Sequence, residues 1–317
     1  MFRRILVPID STARGTESAE VGRRLAERTG ARLLLLHVAG PDISAADSAH
    51  AESAMDKIAR AANGRSVESR VEWGEPVRVI GEVANQEAVD VIVLAPHHRG
   101  WFEVLARPSV TRQLVSRARA PLLIWPEAGR GNAFAHFLGI PNSHVIVALD
   151  GSDLAEAALP HAVKFAREYT RPLLLVRVVP PDVLVGSTPE AAWFETEREE
   201  ARDGMARTYL RNLRHRLAGE IDVPITTMVP HGPPARELTR IATNHDGSLL
   251  VMGTHGRGGF TRLLMGSVTA QVVKDTPIPV LVVRPAGAEE SARFAPRAAK
   301  PTERLAPTPE NGAHHAM

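Results

Sequence analysis

The 317-residue chain contains no cysteine, which removes disulfides, thiolate metal sites and thiol nucleophiles from consideration. Aromatic residues make up only 4% of it, and no basic stripe interleaved with stacking rings can be traced, so nucleic-acid binding is not expected. No apolar run approaches the roughly 18–20 residues that a membrane-spanning helix needs. The opening MFRRILVPID carries two arginines but only a strand-length apolar run, too short for the core of a secretory signal. Charge of one sign is scarce too, because the net charge is +2 with acids and bases interspersed. A cytoplasmic protein is the expectation. With 44% hydrophobic and 23% charged residues, what remains suffices for two ordinary globular domains.

The chain is an internal duplication. Ile5–Val38 aligns without a gap on Val145–Val178 at a shift of 140, bringing Asp10 onto Asp150 and Leu25 onto Phe165. Trp73–Ala84 then matches His231–Ala242, and Pro108–Trp125 matches Gly266–Val283, at a shift of 158. The second copy therefore carries about 18 extra residues between Val178 and His231, and the acidic-basic stretch around Glu190–Leu217 is where they are expected. The boundaries read as a first domain at 1–127, a linker at 128–143 and a second domain at 144–285. A tail at 286–317, rich in Ala, Pro, Glu and Arg without hydrophobic periodicity, is expected to be disordered. His314 and His315 in that tail read as incidental rather than as metal ligands.

Each copy alternates apolar strand runs with helix-period segments. In the second, strands are expected at Val145–Leu149, Leu173–Val179, Val223–Val229, Leu249–Met252 and Val280–Val283. Ser152 is an expected N-cap, and Pro233 and Pro234 suit a first helical turn. Pro160 is a misfit expected to kink the first helix. Strands that are apolar throughout, without alternation, belong to a parallel sheet covered by helices on both faces. Two tandem five-stranded, doubly wound α/β domains follow.

The densest cluster of candidate functional residues is Gly253–Ser267, GTHGRGGFTRLLMGS, directly after a strand. In open α/β sheets ligands sit beyond the C-terminal ends of the strands. Asp150 closes the first strand of the second copy and Gly253 the fourth, so the two flank one crevice if those strands are neighbours. Gly266, Ser267 and Val268 then open a helix whose free N–H groups and dipole favour an anion. Known phosphate loops do not fit. No lysine follows Gly266 as a Walker loop requires, and the glycines follow the fourth strand rather than the first, as a dinucleotide fold would have them.

The spacing Gly253-x2-Gly256-x9-Gly266-Ser267, together with ILVPID, VIVALDGS, Val178 and PIPVLVVRP, resembles the nucleotide-binding signature of the universal stress protein family. The resemblance covers both copies, about Phe2–Pro126 and His144–Pro285. It implies an adenine-nucleotide alpha hydrolase-like α/β fold with strand order 3-2-1-4-5, and pairing of the two copies through their fifth strands within one chain. It also implies ATP, or AMP or ADP, as ligand, with Mg²⁺ accompanying ATP. Carried over by position, Asp150 contacts adenine or ribose, Val178 lies at the adenine, and Gly253, Gly256, Gly266, Ser267 and Val268 hold ribose and phosphates. Arg257 and Arg262 stand on the loop within reach of phosphate or as solvated surface charges. His255 reads as solvent-facing. Asp150 is equally readable as a turn residue before Gly151-Ser152, Ser267 as a helix cap, and Val178 as core that offers only its backbone.

The first copy departs from this pattern. Ala95, His98 and Pro108 stand where the second copy has Gly253, Gly256 and Gly266, while Asp10, Val38 and Ser109 remain. A ring in the cradle and a missing N–H make weak or absent nucleotide binding the expectation there. Arg99, Arg107 and His97 leave a different anion open. No carboxylate lies within Gly253–Ser267 and no His-Glu-x-x-His cluster occurs, so any hydrolysis is expected to be slow. The leading reading is a nucleotide-binding stress-response sensor or regulator. The alternatives are a nucleotide-independent scaffold and, behind it, an adenylyl-transferring enzyme, whose Ser-Gly-Gly-x-Asp-Ser or His-Ile-Gly-His motifs are absent. Adenine nucleotide is the expected partner, with a homodimer open, a protein partner unknown, and neither nucleic acid nor membrane expected.

Overall fold

Strand runs that are apolar nearly throughout form the middle of one sheet, with helices packed on both of its faces. The more polar runs VESRVEW and ITTM lie at its two ends. A computed structural model describes residues 2–10, 13–40, 44–62, 66–95, 110–126, 143–181, 189–254 and 266–284. In the first copy these form β1 (Arg4–Ile9), α1 (Ala13–Thr29), β2 (Arg32–Ala39), α2 (Ala45–Ala61) and β3 (Val67–Trp73). There follow α3 (Pro76–Gln86), β4 (Val91–Leu94), α4 (Val110–Arg117) and β5 (Leu122–Ile124). The second copy runs β6 (Val145–Ala148), α5 (Asp153–Glu156), α6 (Leu159–Tyr169), β7 (Leu173–Val176), α7 (Pro189–Ala218) and β8 (Ile225–Met228). It closes with α8 (Pro234–Asn244), β9 (Leu249–Gly253), α9 (Ser267–Asp275) and β10 (Val280–Val283). The expected linker falls almost entirely, and the expected tail wholly, outside the described residues.

The ten strands make a single sheet in the order β3-β2-β1-β4-β5-β10-β9-β6-β7-β8. Each half has the 3-2-1-4-5 order, and its pairs are parallel. Only the seam is antiparallel, with Val280 opposite Ile124, Leu281 opposite Leu123 and Val282 opposite Leu122. All strand directions therefore reverse at the seam, and the C-terminal strand ends of the two halves lie on opposite rims.

Alternate strand residues enter two separate core layers, as the pleat requires. Val145, Val147, Leu249 and Val251 join residues of α1, α2, α6 and α7 on one face. Ile146, Ala148, Leu250 and Met252 join residues of α3, α8 and α9 on the other. Helix α1 lies so close to the sheet that a Cβ on Gly22 would stand 2.4 Å from Val7 Cγ2. The halves are also locked beside the seam. Phe2 packs edge-on against Phe165 at 5.0 Å between centroids, and Lys164 lies over the Phe2 ring at 4.7 Å.

Pro160 does not kink a continuous helix. The helix stops after Glu156 and restarts at Leu159, placing Pro160 in a first turn, where its missing N–H costs nothing. Most of the extra residues of the second copy lie in α7, which is 30 residues long against 17 for α2.

Candidate functional site

Strands β6 and β9 are neighbours, with Val147 level with Val251. Continuing that register sets Leu149 beside Gly253 and Asp150 just beyond it, at the C-terminal rim. Gly151 has φ +84°, a left-handed value that suits glycine, and it turns the chain back so that Ser152 meets the preceding carboxylate. Ser152 donates from N and from Oγ to Asp150 Oδ1, at 2.9 and 2.6 Å. Ser152 Oγ in turn accepts from Ala155 N and caps α5. Asp150 is thus the turn residue that Gly151-Ser152 implies, and the turn fixes a half-buried carboxylate at the rim.

The glycine-rich stretch is anchored at both ends. Thr254 N donates to Val283 O, and Gly266 N donates to Thr254 O, both at 2.9 Å. Thr269 Oγ1 donates to Gly253 O at 2.9 Å in a buried bond between α9 and the end of β9. Thr254 and Gly266, the described residues on either side of 255–265, thus lie side by side. Gly256, Arg257, His255 and Arg262 lie outside the described residues.

Gly266 has φ −56° and ψ 147°, which any residue adopts, so what it supplies is the absence of a side chain. Among the described residues no side chain caps α9, and its first turn closes by Ala270 N donating to Gly266 O. The N–H groups of Ser267, Val268 and Thr269 precede that closure and so have no acceptor within the helix. Ser267 is exposed, and Thr269 is buried at 3%. Val178, Val268 and Met228 are half-buried against the core layer containing Ala148, Val176 and Met252. Val178 and Val268 thus belong to the same side of the sheet.

Helix α7 adds a wall that the sequence reading missed. Tyr209 donates its hydroxyl to Glu156 Oε1 at 2.9 Å, and Arg216 donates to Glu156 Oε2 at 2.7 Å. The Arg177 guanidinium lies over the Tyr209 ring at 5.1 Å. Burial, and then the Glu156 carboxylate, pushes the Tyr209 hydroxyl far above its ordinary value, and Asp150 adds to the shift. The phenol stays neutral and acts as a donor. Its only sequence-level signal is that it is one of two tyrosines in the chain.

The first copy is built differently at the matching rim. His37 aligns with Arg177 and is buried, its Nδ1 3.0 Å from Ile9 O and its Nε2 3.2 Å from Ser48 Oγ. A carbonyl only accepts, so Nδ1 carries the proton and Nε2 accepts from Ser48 in the neutral ring. Asp10 and Ala95 lie at the ends of β1 and β4, while His97, His98, Arg99, Arg107, Pro108 and Ser109 fall outside the described residues. Among the described residues there is no cluster of three metal-ligating side chains, and no helix is long and apolar enough to cross a membrane.

A sequence model of the universal stress protein family matches residues 1–126 and 141–284. A universal stress protein of Mycolicibacterium smegmatis is 26% identical over 300 residues, which is 89% of this chain and 97% of the relative. One of Mycobacterium tuberculosis is 31% identical over 240 residues, covering 72% of this chain and 74% of its own length. Among solved structures, a universal stress protein of Archaeoglobus fulgidus superposes with a TM-score of 0.65 at 18% identity, covering 90% of this chain and 97% of that one.

Proposed function

The chain belongs to the universal stress protein family, and from that premise we propose that its second copy is an ATP-binding module serving as a stress-response sensor or regulator. The observation that carries this reading is the uncapped N-terminus of α9, held by Thr269 to the end of β9, with Asp150 fixed on the neighbouring strand. These groups suit a nucleotide. Three first-turn N–H donors open toward the rim where phosphates would lie, the exposed Ser267 offers a hydroxyl in the same turn, and the helix dipole adds attraction. The Asp150 carboxylate is a ready acceptor for ribose hydroxyls or an adenine amino group. Magnesium would arrive with the phosphates, since the described residues offer it no ligand cluster of their own.

Slow turnover at most is part of the reading, because Gly253–Ser267 contains no carboxylate to orient a water. Signalling would come from the bound nucleotide rather than from its hydrolysis. The first copy serves as structural partner, contributing half of the seam.

The test begins with heat-denaturing the purified protein and identifying released nucleotide by chromatography. ATP is then titrated calorimetrically into the stripped wild type, Gly266→Pro and Ser267→Asp. The aspartate favours an exposed first-turn position but repels phosphate, so it separates binding from folding. About one ATP per chain is expected, with roughly tenfold or greater weakening in both variants. No released nucleotide and no binding heat in the wild type would leave the nucleotide-independent scaffold as the better reading.

A further inference from the structure

We infer that the chain forms a homodimer by antiparallel pairing of β3 with β3 of a second copy, about a two-fold axis through Val71. The two outer strands of the sheet, β3 and β8, are treated in opposite ways. Strand β8 is short, is flanked by Pro224 and Pro230, and has Arg207, Arg211 and Arg214 of α7 lining a hollow with Thr227 and Val229. Beyond it His231 is held between Glu199 and Asp203, at 3.1 and 3.0 Å. Prolines and a row of cations are the usual guards of a strand edge. Strand β3 is seven residues long and exposes Val71 at 41% and Trp73 at 74%. Trp73 aligns with His231, so the guarded position of one copy is an exposed indole in the other.

The backbone phase permits the pairing. Leu33 N donates to Ser66 O and Gly74 N to Ala39 O, so even-numbered residues of β3 face β2. The N–H and C=O groups of Ser69, Val71 and Trp73 therefore point outward. An axis at Val71 pairs Val71 with itself and Ser69 with Trp73 of the second copy as hydrogen-bonded pairs.

Charge selects this register. An axis at Arg70 would set Arg70 against itself and Glu68 against Glu72, which are like charges. An axis at Ser69 would strand Trp73 beyond the paired residues. With Val71 on the axis, Arg70 of each copy stands opposite Glu72 of the other, extending the Arg70–Glu72 pair already present at 2.7 Å within each chain. Val71 then meets Val71 of the second copy directly, and each Trp73 lies diagonal to the other copy's Val71 across the ladder.

Size-exclusion chromatography with light scattering on the full chain, at tens of micromolar, tests this. Wild type is expected at twice the chain mass. Arg70→Glu alone and Glu72→Arg alone are expected at the single-chain mass with unchanged far-ultraviolet circular dichroism, because each places like charges face to face. Mixing those two variants in equal amounts restores complementary pairs and is expected to return the mass to twice the chain. A single-chain mass for wild type overturns the proposal. So does a dimer that survives both reversals, or a mixture of the two variants that stays single.

Discussion

Replacing Thr269 by valine tests the anchoring of the glycine-rich stretch with almost no change in volume. Thr269 Oγ1 donates to Gly253 O at 2.9 Å, and the threonine is 3% exposed. Valine keeps the shape and leaves that carbonyl without its hydroxyl donor where water has little access. Leaving a buried acceptor unsatisfied costs about 1–3 kcal/mol, more than the net worth of an ordinary hydrogen bond. At roughly 2–4 °C per kcal/mol for a large domain, the unfolding midpoint should fall by about 2–12 °C. Serine at the same position keeps the hydroxyl and loses one methyl, so it should fall less. Thermal and urea unfolding of the three proteins, with and without Mg-ATP, provides the assay. The increment that ATP adds should shrink in the valine variant, because the first turn of α9 is no longer tied to β9. A valine variant as stable as wild type, or a serine variant hurt as much as valine, would refute the reasoning.

Both tyrosines of the chain are held above their ordinary range, Tyr169 by burial and then Glu168, and Tyr209 by burial and then Glu156. Folded tyrosines then stay protonated while unfolded ones ionise near pH 10, so stability is full below about pH 10 and falls above it. An ultraviolet titration should show tyrosinate only as the chain unfolds; a reversible step near pH 10 with intact circular dichroism would count against this. Gly22→Ala should destabilise by about 1–3 kcal/mol despite alanine's better helix propensity, since its Cβ meets Val7 and the core must shift. Gly204→Ala, with nothing within 4 Å of the added carbon, should stabilise α7 by roughly 0.5–1 kcal/mol in the same unfolding assay.

Strand positions were legible because a strand buried on both faces must be apolar at every residue. Val280–Val283 appears with the expected bounds, and Leu249–Met252 gains only Gly253. The ends were less legible. Val223–Val229 shrinks to Ile225–Met228 because Pro224 and Pro230 stand at its margins. Leu173–Val179 stops at Val176, followed by a lone bridge between Val179 and His231. The adjacency of Asp150 and Gly253 follows from strand order, which came with the family resemblance rather than from any local pattern. Glu156 and Arg177 carried no signal, and Tyr209 only its rarity, because their contacts join segments tens of residues apart and depend on where α7 lands. The Pro160 expectation failed for a local reason: Ala157 and Ala158 form a break in which a proline begins a helix instead of bending one.

The antiparallel seam has a consequence for synthesis. Strand β5 leaves the ribosome about 160 residues before its partner β10, and at roughly 5–20 residues per second that gap lasts about 8–30 s. Throughout it, a three-residue strand destined for complete burial has a bare edge. Neighbouring ribosomes on one message carry chains in the same condition, and a finished second half from one can dock on the waiting first half of another. Such an exchange keeps every seam contact and crosses two chains. Translation speed and linker reach, rather than the strength of the seam, then decide whether the two halves join within one molecule.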